Sequence, residues 1–197
     1  DFTYEELKGM TYLHAAIHEG LRLYPPVPHD IKLVEEADVL PNGTKVAKKT
    51  HLIYNAYAVA RMDKIWGPDC HEFKPERWLE KTDTLTGDHD NVGTFVQVSP
   101  YKFPVFQGGP RTCIGKDMAI LQMKCAAAAI IRRFRISLAC PDFEPYYGIA
   151  ITLKMLDGLP VNVCRRRASS STSMLPMTNN SEVGAKARQS LNFPRIP

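Results

Sequence analysis

The sequence predicts a mainly α-helical fold with small antiparallel β-sheets, an α+β arrangement. Three observations carry that expectation. Apolar residues recur at helical spacing between Thr11 and Leu23. An alanine-rich helical pattern runs from about Lys116 to Phe134. Turn signals at Leu40–Thr44 and Met155–Leu159 lie beside short runs of strand-forming residues. The apolar fraction, 44%, is ordinary for a globular chain, and 197 residues suffice for one domain or part of a larger one.

Thr3 and Glu6 stand at capping-box spacing, so a short helix starts there, weakened by Gly9. The helix over Thr11–Leu23 places Leu13, Ile17 and Leu21 near one face, and Pro25 and Pro26 end it. It also carries Glu19 and Arg22 on a shared face; taken alone, that pair reads as a surface ion pair of little value. Pro25 to Lys32 is proline-rich and ends polar, with His29 a polar pocket or surface residue. Beside the Leu40–Thr44 turn, Lys45–Ala47 and His51–Val59 are expected as strands of a small antiparallel sheet. A short helix and a turn follow between Ala60 and Asp69, then Pro75-Glu76-Arg77-Trp78, then an exposed polar loop over Asp83–Asn91. Arg132, Arg133 and Arg135 cluster at the end of the long helix, where cations complement its dipole; they form a solvated end or face a partner. Phe134 to Val163 alternates in places through Ile136, Leu138, Ile149, Ile151 and Leu153, with Met155–Leu159 as a hairpin turn.

Charge and cysteine usage exclude several functions. From Arg165 onward there are six basic residues and one acid, so the tail holds +5 and the remainder −1 of the net +4. The basic character is therefore no argument for a nucleic-acid-binding core, and no nucleic-acid partner is expected. The tail, 165–197, is Ser-rich and aperiodic and reads as disordered, leaving 1–164 as the folded part. The cysteines Cys70, Cys113, Cys125, Cys140 and Cys164 are scattered and odd in number, which argues against a disulfide framework or a zinc site. The longest apolar run, Cys125 to Ile131, has seven residues, against roughly twenty for a membrane span.

One stretch organises the rest: Phe106-Gln107-Gly108-Gly109-Pro110-Arg111-Thr112-Cys113-Ile114-Gly115. A single cysteine sits in a glycine-flanked loop just before a helix, whose positive N-terminal end favours the thiolate. Glycine lets backbone approach a flat, bulky partner. A lone thiolate suits a metal whose other ligands come from a cofactor, haem iron with one axial Cys above all; the bland alternative is a buried free cysteine beside a turn.

At these residues the sequence resembles the cytochrome P450 family of haem-thiolate monooxygenases. Its signature loop is matched at Phe106, Gly109, Arg111, Cys113 and Gly115. The resemblance implies that Cys113 ligates the iron of haem b and that Arg111 and Lys32 pair with its propionates. Phe106 would shield the sulfur, and Gly109 and Gly115 would give room. Glu19, Arg22 and Arg77 would form the family's Glu-Arg-Arg triad, a structural lock between helix and meander; physically, one carboxylate can accept from two guanidinium forks. Val27, Ile31, Leu156 and Leu159 become candidate substrate contacts, with an ordinary hairpin the other reading of the last two.

The resemblance spans about Phe2 to Val163 and implies the C-terminal part of the P450 fold. The N-terminal part, the oxygen-activating helix and the membrane anchor would precede Asp1, so no catalytic acid or threonine is expected within this chain. Val105–Arg111, Gly115–Ala119, Gln122–Lys124 and Ala60–Met62 look like plant members that hydroxylate fatty acids near the chain end, or related acyl conjugates. The implied activity inserts one oxygen atom from O2 into a C–H bond of a small hydrophobic substrate. NADPH-cytochrome P450 reductase would be the electron donor, at the cytosolic face of the endoplasmic reticulum. The alternatives are a truncated non-catalytic product, or an interaction module acting through the basic tail.

Overall fold

The computed structural model describes residues 2–80, 93–149 and 152–166. The expected loop at Asp83–Asn91 and the tail from Arg167 on lie outside the described residues, as does Ile151. Helix α1 spans Tyr4–Gly9, and its start is a reciprocal cap. The Thr3 hydroxyl accepts the Glu6 N–H at 3.3 Å, and the Glu6 carboxylate accepts the Thr3 N–H at 2.7 Å. Helix α2, Thr11–Leu23, stops at Tyr24 ahead of the two prolines. Of the expected apolar face, Leu21 is buried, Ile17 is half-buried and packs against the core, and Leu13 is half-buried. Ala15, His18, Glu19, Arg22 and Leu23 are buried too, so the interior face is wider than the expected stripe and includes a buried ion pair.

The core gathers Ala15 and Leu21 of α2 with Trp66, Cys70, Trp78, Phe103 and Ile120. Trp78 is at its centre. It stacks on Phe95 (centroids 5.9 Å apart), meets Phe103 edge-on at 4.9 Å and lies 5.5 Å from Trp66. Offset and edge-on aromatic pairs add to what area burial supplies. The long helix α5, Lys116–Arg133, packs against α2 and closes this core from the other side.

Among the described residues the strands form four separate two-stranded antiparallel sheets. Strand β1 (His29–Leu33) pairs with β4 (His51–Asn55), while β2 (Asp38–Val39) pairs with β3 (Lys45–Val46) across the Leu40–Thr44 turn. Two expectations are corrected here. The run His51–Val59 is not one strand. It ends at Asn55, whose side chain accepts the Ala58 N–H at 2.9 Å and starts the single-turn helix α3, Ala56–Val59. Nor does that strand join β3 in one sheet, because the proline-rich segment supplies β1 as its partner instead. A second single turn, α4, covers Asp63–Trp66.

Beyond α5 the chain passes directly into β5, Phe134–Leu138, so Arg135 belongs to a strand and not to the helix end. Strand β6 (Tyr146–Ile149) pairs with β7 (Leu153–Leu156), and β8 (Val161–Arg165) pairs back with β5. The Met155–Leu159 segment does turn, with Asp157 and Gly158 both at positive φ, but it is not a hairpin. Strand β7 is already taken by β6, so the turn hands the chain from one sheet to another. The described residues continue to 166. Arg165 pairs with Phe134, and Arg166 donates its N–H to the Arg133 carbonyl and its Nε–H to that of Ile131. Among the described residues, no helix is long and apolar enough to cross a membrane.

Candidate cysteine-loop site and its scaffold

The scaffold begins at Glu19, which is fully buried with Arg22; the Arg77 side chain is 10% exposed. Five donors converge on this one carboxylate. Oε2 accepts Arg22 Nε at 2.8 Å and Trp78 Nε1 at 2.9 Å. Oε1 accepts Arg22 Nη2 at 2.9 Å, Arg77 Nε at 2.7 Å and the Lys74 N–H at 2.9 Å. Burial would raise the Glu19 pKa, but these donors outweigh it and hold the carboxyl below the usual carboxylate range. Arg22 spends its other N–H groups on the carbonyls of Ala60, Cys70 and Glu72. Arg77 reaches the carbonyls of Trp66 and Asp69 and the Asp69 carboxylate. The residues named from sequence thus meet, and they tie α2 to the 63–78 segment. Trp78, Lys74 and Asp69 complete the network; no pattern in the sequence marked them.

That segment leads, past residues 81–92, to Phe103, which is buried and anchors the next turn by donating its N–H to Ser99 O. Pro104–Phe106 and Gly109–Arg111 each form a single 3₁₀ turn. The Cys113 N–H donates to Phe106 O at 2.9 Å, closing a loop between the two residues. The sulfur is exposed. Gly115 is the N-cap of α5, so Cys113 stands two residues ahead of that cap. A Cβ on Gly115 would lie 3.9 Å from Cys113 Sγ, so its absence leaves the space beside the sulfur open. Gly109 serves differently: little would crowd a Cβ there, but its φ of +68° favours glycine. Phe106 packs against the core with its ring and holds Cys113 with its carbonyl. One open thiol, a backbone clasp and a missing Cβ fit a large flat partner bound through sulfur. Among the described residues no group of three or more His, Cys, Asp or Glu could hold a metal ion. A metal here would need its other ligands from a cofactor.

Of the two cations expected at such a partner's rim, Arg111 is exposed and makes no ion pair among the described residues. Lys32 on β1 is engaged: Nζ donates to Asp30 Oδ2 at 3.0 Å and Gln107 Oε1 at 3.1 Å. Asp30 Oδ2 also accepts Gln107 Nε2 at 2.6 Å and the Tyr54 hydroxyl at 2.9 Å. Burial would raise Asp30, but Lys32, the Ile31 N–H and Tyr54 hold it low; burial and Asp30 push Tyr54 up to about 12. Gln107 sits at φ +61°, ψ −179°, a region costing a side-chain-bearing residue about 1–3 kcal/mol. Asp30, Tyr54 and Gln107 escaped the sequence reading. Only the Asp30-x-Lys32 spacing on a strand, which puts both side chains on one face, could have signalled part of it. Val27, Ile31, Leu156 and Leu159 are all exposed. The Leu153 N–H donates to Pro26 O, which sets the β6–β7 ribbon beside the segment bearing Val27. His29 is exposed at the start of β1.

A cavity of 420 Å³ lies elsewhere, between α1, α2 and α5, and none of residues 106–113 lines it. His14 and His18 border it, with the Lys116 and Lys124 ammonium groups facing them. Burial, with the charges of His18, Lys124 and Lys116, pushes His14 down to about 4. Burial also lowers His18, against the bond its Nδ1–H donates to His14 O at 2.9 Å. The unfolded chain therefore binds protons below about pH 6.5 that the fold refuses, and stability falls as pH drops from there towards 4. The expected loss from His14 is on the order of 2 kcal/mol, since the ring is partly exposed. His14→Phe, which keeps the edge-on packing against Phe95, should flatten the urea midpoint between pH 6.5 and 5.

Comparison with known proteins gives the family to which the chain is similar. The family model described as "Cytochrome P450" matches residues 1–146. The chain is 48% identical over 166 residues to "Cytochrome P450 94A2" of Vicia sativa, covering 83% of this chain and 31% of that protein. It is 47% identical over 164 residues to a "Cytochrome P450" of Helianthus annuus, covering 83% of this chain and 98% of that one. Among solved structures, "Crystal structure of a Cytochrome P450 (CYP102L1)" superposes with a TM-score of 0.66 at 29% identity, over 84% of this chain and 34% of that one. The chain thus spans about a third of the length of several relatives it matches.

Proposed function

This chain belongs to the cytochrome P450 family, and from that premise we propose that it forms the cysteine-bearing part of a haem-thiolate monooxygenase. The observation that carries the proposal is the exposed Cys113 sulfur, held by the Cys113 N–H to Phe106 O bond directly before α5. Cys113 would be the axial ligand of haem b, with Gly115 leaving the porphyrin room and Arg111 and Lys32 balancing its propionates. When bound, haem would supply the dioxygen chemistry: one atom enters a substrate C–H bond, and the other leaves as water with two electrons from NADPH and two protons. The chain's own part is to present the sulfur, keep the loop rigid through the Glu19–Arg22–Arg77 scaffold, and present apolar side chains to substrate.

Val27, Ile31, Leu156 and Leu159 are exposed and apolar, which suits a fatty acid or acyl conjugate. The loop residues Val105–Arg111 and the first turns of α5 support that substrate class by their likeness to plant fatty-acid hydroxylases. NADPH-cytochrome P450 reductase would deliver the electrons, at the cytosolic face of the endoplasmic reticulum. The test joins this chain to the N-terminal part of a 94A2-type relative and supplies haem, reductase, NADPH and a medium-chain fatty acid. A product carrying one added oxygen, formed only when NADPH is present, is expected. Haem uptake without any oxygenated product would overturn the substrate and activity reading.

A further inference from the structure

We propose that Asp30 and Gln107 are positioning residues for the thiolate: Asp30 clamps the cysteine loop to the β1–β4 sheet through Gln107. The purpose of the clamp rests on the haem-thiolate reading above; its existence does not. Gln107 occupies a left-handed, extended backbone conformation that glycine adopts without strain. The chain places glutamine there, next to two glycines, and uses both ends of its side chain. Nε2 donates to Asp30 at 2.6 Å and Oε1 accepts from Lys32 at 3.1 Å. Asp30 is itself held from three sides, by Lys32, by Tyr54 opposite it in the β1–β4 register, and by the Ile31 N–H at 2.7 Å. The Asp30–Gln107 contact joins residues 77 positions apart. The next residue back, Phe106, supplies the carbonyl that fixes the Cys113 N–H. Fixing Gln107 therefore fixes the limb of the loop from which the cysteine hangs. Strain at a non-glycine residue persists only where its surroundings over-determine it, and here the surroundings are these bonds.

Amide hydrogen exchange of the 197-residue chain, followed by mass spectrometry over peptides covering 104–115, reads the clamp without any cofactor. Gln107→Gly relieves the backbone and removes the clamp, so it is expected to fold while residues 106–113 exchange at least about tenfold faster, both side-chain bonds to charged partners being lost. Asp30→Ala should speed exchange in the same stretch, and the double variant should be no faster than Gln107→Gly alone. The α2 peptides should not change. Unchanged exchange at 106–113 in Gln107→Gly, or additive effects in the double variant, overturns the proposal. In haem-loaded chain, the variants should shift the reduced CO complex away from its thiolate-type Soret band, and Gln107→Asn should restore neither band nor protection, being one methylene short. A wild-type chain that takes up no haem would count against the functional reading and leave the exchange result standing.

Discussion

Replacing Glu19 with alanine is expected to destabilise the chain by about 3–5 kcal/mol, because it strands the fully buried Arg22 guanidinium without a counter-charge. Against a total stability of about 5–15 kcal/mol for a typical domain, that loss is between a fifth and all of what holds it folded. Melting temperature, or the urea midpoint where melting is irreversible, measures it. Glu19→Gln should also be costly, since an amide NH₂ would face two of the five donors that the carboxylate now accepts. Arg77→Ala, made in the Glu19→Ala background, should cost markedly less than in wild type, because its main partner is already gone. Acid gives the same information by another route. The Glu19 pKa is depressed in the fold, so its stabilisation is complete above the ordinary carboxylate pKa of about 4.3 and disappears as pH falls through the folded value.

Replacing Cys113 with serine is expected to leave the fold intact and to abolish thiolate ligation altogether. The side chain is exposed and the hydrogen bonds at this position are made by the backbone, so stability should change by less than about 0.5 kcal/mol. A serine hydroxyl remains protonated at neutral pH and is a poor donor to iron, so the thiolate-type Soret band of the reduced CO complex should vanish. Cys125, Cys140 and Cys164 are also exposed, so the matching serine variants are the control. Each should retain the band. The pair of predictions separates scaffold from site: Glu19 variants lose folding first, and Cys113 variants lose only the ligand.

Much of the scaffold was legible because it obeys local rules. The Thr3–Glu6 cap, the Thr11–Leu23 helix, the Leu40–Thr44 turn and the helix from Lys116 each follow from spacing or turn chemistry within a few residues. What escaped depends on distant partners. The interior face of α2 was read only in part from periodicity: Leu21 and Ile17 face the core, but Glu19 and Arg22 are buried beside them because distant donors and acceptors pair with them. The Asn55 cap split one run of strand-forming residues into a strand and a helical turn. The pairing of β7 with β6 and β8 with β5 is a choice among partners that look alike locally. At the site, the loop carrying Cys113 is a motif in sequence, whereas its attachment to β1 through Gln107 and Asp30 joins residues that nothing in the sequence links. Glycine roles also divided on geometry: Gly115 leaves space at the sulfur, and Gly109 supplies a backbone angle.

Iron-edge X-ray absorption of the haem-loaded protein, in wild type and in Cys113→Ser, asks directly what binds the metal. A sulfur scatterer in the first coordination sphere of wild type, absent from the variant, is the predicted result. An iron surrounded only by nitrogen and oxygen in wild type, or a sulfur signal that survives in Cys113→Ser, would contradict it.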